Sequence, residues 1–453
     1  MIQDSAKRIR QSTAPFQEPV ENHAKIGFGR YQSSKNFVGI GTRPILKVIH
    51  VMQGIIKPQI HIGTISMGLN VIGVPYTSGS LMLNMLGTIQ VLPIRRRRLD
   101  FAKKQSVLNL VAYAAESLKI KPDERTMRFL DEFRMQKMVV EAQQELAACD
   151  ACQKLDKMGV RHMLLKGSVM KNFYPSPDMR TMGDIDILVD AARCDDVVKA
   201  FMADGFEFAG EGDLHSNVKR GNVYIEFHRS MVDSCHETLS AYYGDGFRLP
   251  HKIEGSEYEY KLTDEDFYVF LVAHIAKHYR YGGTGIRSLL DLYIYEKSLP
   301  SLDFDYINGE LEKIGLLVFY NKIRKITYDW YSGGFDGEFD IMSEYIVSGG
   351  VYGIDGISMQ NSFILDNIDE DIHSKKIKNI FGIIFLNYDE MKIRYPVLKN
   401  KKFLLPLLWI VRFFDTIIHN PNNAKGRFND SKKIMNIDDN MVEVQRISGI
   451  KKL

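Results

Sequence analysis

Cysteine is scarce in this chain, four in 453 residues. That is too few for a disulfide scaffold and suits a reducing compartment. Long apolar runs are missing as well. From Asp100 onward no stretch of about 18 uncharged apolar residues occurs, which argues against a spanning helix there. Residues 1–11 carry charges and no apolar core, so no secretory signal is read from them. Neither sign of charge dominates: 59 Lys and Arg against 56 Asp and Glu leave a net +3, too mild to demand a nucleic-acid partner. With 45% hydrophobic and 25% charged residues, the composition is that of a globular protein. The expectation is a cytoplasmic protein of roughly 3 structural units at about 150 residues each.

One absence is local. Between Glu21 and Asp100 there is no Asp or Glu, while basic residues persist and end in the run 95–98. Residues 48–94 are rich in Gly, Met and Ile, Lys57 is their only charge, and their apolar positions keep neither a 3.6 nor a 2 period. Residues 1–99 read as an atypical leader, expected to be poorly folded. A membrane-seeking or nucleic-acid-binding leader is the competing reading.

From Asp100 the pattern changes. Residues 106–118 and 125–155 space their apolar side chains three and four apart, predicting amphipathic helices over 100–158. Gly159 breaks that period, and a short apolar run leads into Lys166, Gly167 and Ser168. A short helix then stops at Pro175 and Pro177. Residues 184–189 (DIDILV) and 223–227 (VYIEF) read as strands, with a helix over 195–205 between them. Thr263 is the expected N-cap of a strong helix, with Asp266 in its first turn. The remainder is expected to be helical over 261–425, with a loose tail at 426–453.

Strand alternation carries the chemical argument. Asp184 and Asp186 project from one face, and Ile185, Ile187 and Val189 from the other. Two close carboxylates repel, and a hard divalent cation, Mg²⁺ or Mn²⁺, is the usual remedy. On the second strand Tyr224 and Glu226 share a face. If the two strands pair, Glu226 joins the aspartates, and three carboxylates can support in-line attack at phosphorus. Gly167 would admit a phosphate close to the backbone, Ser168 would add a hydroxyl, and the following helix start would add amides. Lys166 and Arg180 are open between phosphate contacts and surface charges.

The order Gly-Ser, short helix, loop, Asp-x-Asp, then a strand-borne acid resembles the polymerase-β-type nucleotidyltransferase superfamily. The fuller string LLKGS…YPSPDMRTMGDIDILV, with IEFHRS and HIAKH…GIRSLLDL, resembles its bacterial branch of uncharacterised nucleotidyltransferases. The resemblance spans about residues 103–299, more loosely to about 412, and does not reach the first hundred. It implies an α+β fold with a small mixed sheet flanked by helices, placed at 159–260. It also implies Mg²⁺-dependent transfer of a nucleoside monophosphate from a nucleoside triphosphate such as ATP to a hydroxyl acceptor. Gly167 and Ser168 match the nucleotide-phosphate motif, Asp184 and Asp186 the metal pair, and Glu226 the third carboxylate. The departure is Lys166, which stands where the superfamily usually has a small residue.

Several residues carry competing readings. Asp190 shares the aspartates' parity but is better read as a cap or turn residue. His274 and His278, four apart, are read as packed, hydrogen-bonded histidines lining a cleft, since no Glu follows His274 as a zinc-peptidase motif requires. Arg287 and Asp291 form a structural bridge or, through the resemblance, contact the acceptor. Cys149 and Cys152 lack a second pair and read as ordinary helix cysteines. Residues 403–418, preceded by Lys399, Lys401 and Lys402, read as a helix packed on the domain or as an interfacial anchor, giving peripheral membrane contact through 399–418. The competing function is a catalytically inactive nucleotide-binding or membrane-peripheral accessory protein.

Overall fold

The computed structural model describes residues 96–450, apart from 118–121, 213, 234, 333–338, 352, 355, 387 and 420. Nearly all of the leader expected over 1–99 lies outside the described residues. So does the loop expected at Gly333 and Gly334.

Helices α1 (Arg96–Lys104) and α2 (Leu108–Ser117) open the described chain, followed by the 34-residue α3 (Glu124–Lys157). Asp123 caps α3 by accepting from the Thr126 amide. Gly159, at φ +64°, ends it, as Val160 N–H turns back to the Leu155 carbonyl. Strand β1 (His162–Leu164), the short helix α4 (Lys166–Met170), β2 (Ile185–Val189) and α5 (Cys194–Ala203) follow. Then come β3 (Glu207–Glu211), β4 (His215–Arg220) and β5 (Val223–His228). The sheet order is β1-β2-β5-β4-β3, with β2 and β5 parallel and the other neighbours antiparallel. The fold is therefore mixed α+β, as expected.

Alternation sorts the sheet's faces. Ile185, Ile187, Val189, Val218, Ile225 and Phe227 join one core with Ala147, Ala148, Ala151 and Leu155 of α3 and Val197, Val198 and Phe201 of α5. The opposite face keeps its polar residues and contributes Leu188 to a larger, helical core.

That larger core gathers α6 (Glu237–Tyr243), α7 (Asp264–Tyr281), α8 (Ile286–Ser298), α9 (Phe304–Lys313), α10 (Leu317–Tyr331) and α11 (Ile341–Gly349). A two-stranded ribbon, β6 (His251–Lys252) with β7 (Tyr260–Lys261), precedes α7. Thr263 caps α7 through the Asp266 amide, as its sequence predicted. Residues 100–158 do not close a core of their own. Their first part, including Ala102, Leu108 and Ala114, is buried with the helices that follow residue 263, while the end of α3 covers the sheet.

Helices α12 (Ser358–Asp366), α13 (Ile372–Ile384), α14 (Tyr388–Arg394), α15 (Leu405–His419), α16 (Pro421–Met435) and α17 (Asp439–Ser448) complete the chain. The loose tail expected at 426–453 is corrected as far as residue 450. Asp438 caps α17, Val444 and Ile450 are buried in the large core, and Ile434, Ile437 and Val442 form a small core with Ile364 and Ile372. Too few apolar residues mark the segment as ordered when it is read alone, and burial comes from helices far away in sequence.

Candidate active site

Parallel pairing sets Asp186 of β2 directly opposite Glu226 of β5. Both point away from the α3/α5 core, because their strand neighbours Ile185, Ile187, Ile225 and Phe227 fill it. His228, two residues beyond Glu226, shares that face. One ligand atom each from Asp186, Glu226 and His228 lies within 4.8 Å of the other two. Asp184 sits in the bend just before β2, half-buried.

Charge is unevenly met within this group. Asp186 Oδ1 accepts from Lys166 Nζ at 2.6 Å and from His228 Nε2 at 2.7 Å. Burial alone would raise its carboxyl, but the Lys166 ammonium and His228 outweigh it and hold Asp186 well below the usual carboxylate range. Glu226 is lowered chiefly by His228, whose Nε2 lies 3.5 Å from its Oε2. His228 is raised, because these two acids overcome the effect of its burial. Asp184 makes no hydrogen bond or ion pair among the described residues. Burial, then repulsion from Asp186 and Glu226, pushes its carboxyl up to about 6.

The donor set fits a hard cation. Two carboxylates and an imidazole meet, and Asp184, without a protein partner among the described residues, is pushed up by burial and then by the charge of Asp186 and Glu226. Lys166 Nζ already holds one of the oxygens a cation would use, and Lys166 itself sits at φ +45°, a conformation unusual for a residue with a side chain.

Three of the groups expected at the phosphate are already engaged within the protein. Gly167 does not face open space: a Cβ there would come within 2.6 Å of Met182 Sδ and 2.7 Å of Arg180 Nη1, so its missing side chain serves loop packing. Arg180 is not a free cation. It is buried and donates Nε at 2.9 Å and Nη2 at 2.8 Å to the two Asp291 oxygens, while Tyr174 hydroxyl donates to the same carboxylate at 2.7 Å. Finally, α4 is only five residues long, and the Ser168 amide is spent on the Leu165 carbonyl at 3.2 Å. The Ser168 hydroxyl, by contrast, is buried without a partner.

Asp291 thus takes Arg180 and Tyr174, while Arg287 donates Nη1 to the Thr181 carbonyl at 3.0 Å. Both contacts fasten the 174–183 loop onto α8. Asn109 and Tyr113 of α2 hold the same loop through Asp178. His274 and His278 meet Nε2 to Nε2 at 3.1 Å, which matches the reading of hydrogen-bonded histidines. Burial is the main cause that pushes His278 down to about 4 and His274 well below its usual range. Asp190 accepts from the Arg161 amide and guanidinium, a turn-fastening role.

His228 is the member that sequence reasoning did not single out. The available signal was parity, since it follows Glu226 by two on one strand. Its contact with Asp186 depends on the parallel register.

Over residues 96–332 the chain matches the profile of a family described as "Uncharacterised nucleotidyltransferase". One solved structure, of an antigenic nucleotidyltransferase-like protein from Paracoccidioides brasiliensis, is 15% identical over 43% of this chain and 92% of that one, with a TM-score of 0.28. No curated protein matches the chain.

Proposed function

Because the chain belongs to the family of uncharacterised nucleotidyltransferases, we propose that it transfers a nucleoside monophosphate from a nucleoside triphosphate to a hydroxyl acceptor. The observation that carries this reading is the meeting of Asp186 and Glu226 with His228 on one face of the sheet, with Asp184 close enough to feel the charge of both acids. The motif order suggests the polymerase-β-type superfamily and its bacterial branch, and the scarcity of cysteine suggests a cytoplasmic setting.

Asp184, Asp186 and Glu226 would hold Mg²⁺ or Mn²⁺, which supplies charge neutralisation at the phosphates and the leaving oxygen. The acceptor oxygen forms a bond to the α-phosphorus, the bond from that phosphorus to the bridging oxygen breaks, and pyrophosphate departs. The acceptor's proton passes to one of the three carboxylates. Ser168 donates to a phosphate oxygen. Lys166, once Asp186 is otherwise neutralised, is positioned to offset triphosphate charge. Arg180 acts through Asp291 by fixing the loop that leads into β2, not by touching phosphate. The His274/His278 pair, with Arg287, faces the acceptor side in this reading.

The double variant Asp184→Asn, Asp186→Asn is expected to abolish cation-dependent pyrophosphate release from labelled nucleoside triphosphates in cell extract. Full residual activity would sink the assignment.

A second reading adds location. No helix among the described residues is long and apolar enough to cross a membrane. Yet Ile377, Phe381, Ile393, Phe403, Leu407 and Ile410 are exposed across α13 to α15. Residues 372–435 also hold 13 Lys and Arg against 4 Asp and Glu, in a chain that is nearly balanced, although Lys376 and Arg412 of these are buried. Such a surface suits peripheral contact with an anionic bilayer, with 399–418 at its centre. Sedimentation with phosphatidylserine vesicles but not phosphatidylcholine vesicles is expected, and equal sedimentation with both would count against it. The inactive accessory protein is the outcome in which nucleotide binds and no acceptor in the extract is ever labelled.

A further inference from the structure

A second group of ligand-bearing side chains lies away from the carboxylates. Cys152 is on the last turns of α3, His162 opens β1, and Glu259 directly precedes β7. One ligand atom from each lies within 4.8 Å of the other two. The backbone sets this meeting: His162 N–H donates to the Tyr258 carbonyl at 2.8 Å, and His162 and Glu259 bridge as strand partners.

The histidine's tautomer follows from its neighbours. Nδ1 lies 2.9 Å from the Val160 carbonyl, which can only accept, so Nδ1 carries the proton. Nε2 is left with a lone pair. It is buried and has no hydrogen-bond partner. Cys152 is buried too, and the Glu259 carboxylate has no hydrogen bond or ion pair among the described residues. A buried ring nitrogen, a thiol and a carboxylate therefore converge without satisfying one another, an arrangement that calls for an absent bonding partner.

We propose that Cys152, His162 and Glu259 form a zinc site, a structural clip joining the end of α3, the start of β1 and the strand before α7. The chemistry selects the ion. One thiolate and one carboxylate balance the charge of a divalent cation, with the imidazole neutral. A soft sulfur with a nitrogen favours Zn²⁺ over Mg²⁺. The Nδ1 donation to a backbone carbonyl is the outer contact that metal-bound histidines usually make. The three donors leave a fourth tetrahedral position for water. This site has no residue in common with the Asp184, Asp186 and Glu226 group, so the two stand or fall separately.

Cobalt distinguishes them, because only a site with sulfur gives thiolate-to-Co²⁺ charge-transfer absorption in the near ultraviolet. The full chain, stripped with chelator and reloaded with Co²⁺, is expected to show that band at one equivalent, with Zn²⁺ displacing it. Cys152→Ser and His162→Phe are expected to lose it, and Cys149→Ser and Asp186→Asn to keep it. Absence of the band, or its loss in Cys149→Ser with retention in Cys152→Ser, overturns the proposal. Should the variants fail to fold, the wild-type chain gives the answer by alkylation mapped with mass spectrometry. Zn²⁺ is expected to protect Cys152 under conditions that open the fold partway, and equal labelling with and without Zn²⁺ overturns it.

Discussion

Two acidic groups flank the loop of residues 174–183, and they are built in opposite ways. Asp291 is fully answered: Arg180 grips both its oxygens and Tyr174 adds a third donor, all of them buried. The Asp184, Asp186 and Glu226 group is answered only in part. Lys166 and His228 serve Asp186, and Asp184 is left with burial and like-charge repulsion. A buried pair with its hydrogen bonds made is a fastening, whereas carboxylates left in mutual repulsion are candidates for holding a cation.

The comparison can be broken by substitution. The largest expected effect is at the open group, where Glu226→Gln should lower nucleotidyl transfer on the order of 10³-fold with a near-wild-type melting temperature. Both would be read on one protein preparation, by product formation and by thermal unfolding. At the closed group the consequence is stability. Asp291→Asn strands a buried guanidinium and should cost about 3–5 kcal/mol in denaturant unfolding. A cost under about 1 kcal/mol would mean that Asp291 is not a fastening.

The histidine pair sharpens the contrast through pH. His278 is lowered in the folded state, so the unfolded chain binds the extra proton first. Stability present above about 6.5 is lost as pH falls toward 4, on the order of 2–3 kcal/mol. His278→Gln keeps a hydrogen-bonding partner for His274 but does not titrate. Its unfolding free energy should change less between pH 7 and pH 4 than that of the wild type. The smallest effect is the most diagnostic. Asp184→Asn alone removes like-charge repulsion and should stabilise the metal-free chain by about 1 kcal/mol at pH 7 while removing activity, as expected of a residue kept for function. A loss of stability would show that Asp184 is held by partners after all.

Much of the open group was legible because strand alternation is a local property. Asp186 and Glu226 had to leave the faces that Ile185, Ile187, Ile225 and Phe227 bury, whatever the strand order. Asp184 was less secure, since β2 starts one residue later and alternation does not govern a bend. His228 carried the right parity but gave no further sign. Arg180 was the least legible, because its partner lies 111 residues away and composition cannot tell a buried cation from a surface one. The helices beyond residue 426 were missed for the same reason: few apolar side chains suffice when distant helices supply the rest of the core.

Periodicity and capping residues, read from the chain alone, determined that a strand would carry Asp186 on the face turned away from the core, and that Thr263 would start a helix. Those are consequences of backbone geometry over a few residues. Which cation meets which anion was decided only by the fold, because electrostatic partners are chosen by distance in space. The parallel register of β2 and β5 brought Glu226 and His228 to Asp186, and the packing of the 174–183 loop on α8 paired Arg180 with Asp291.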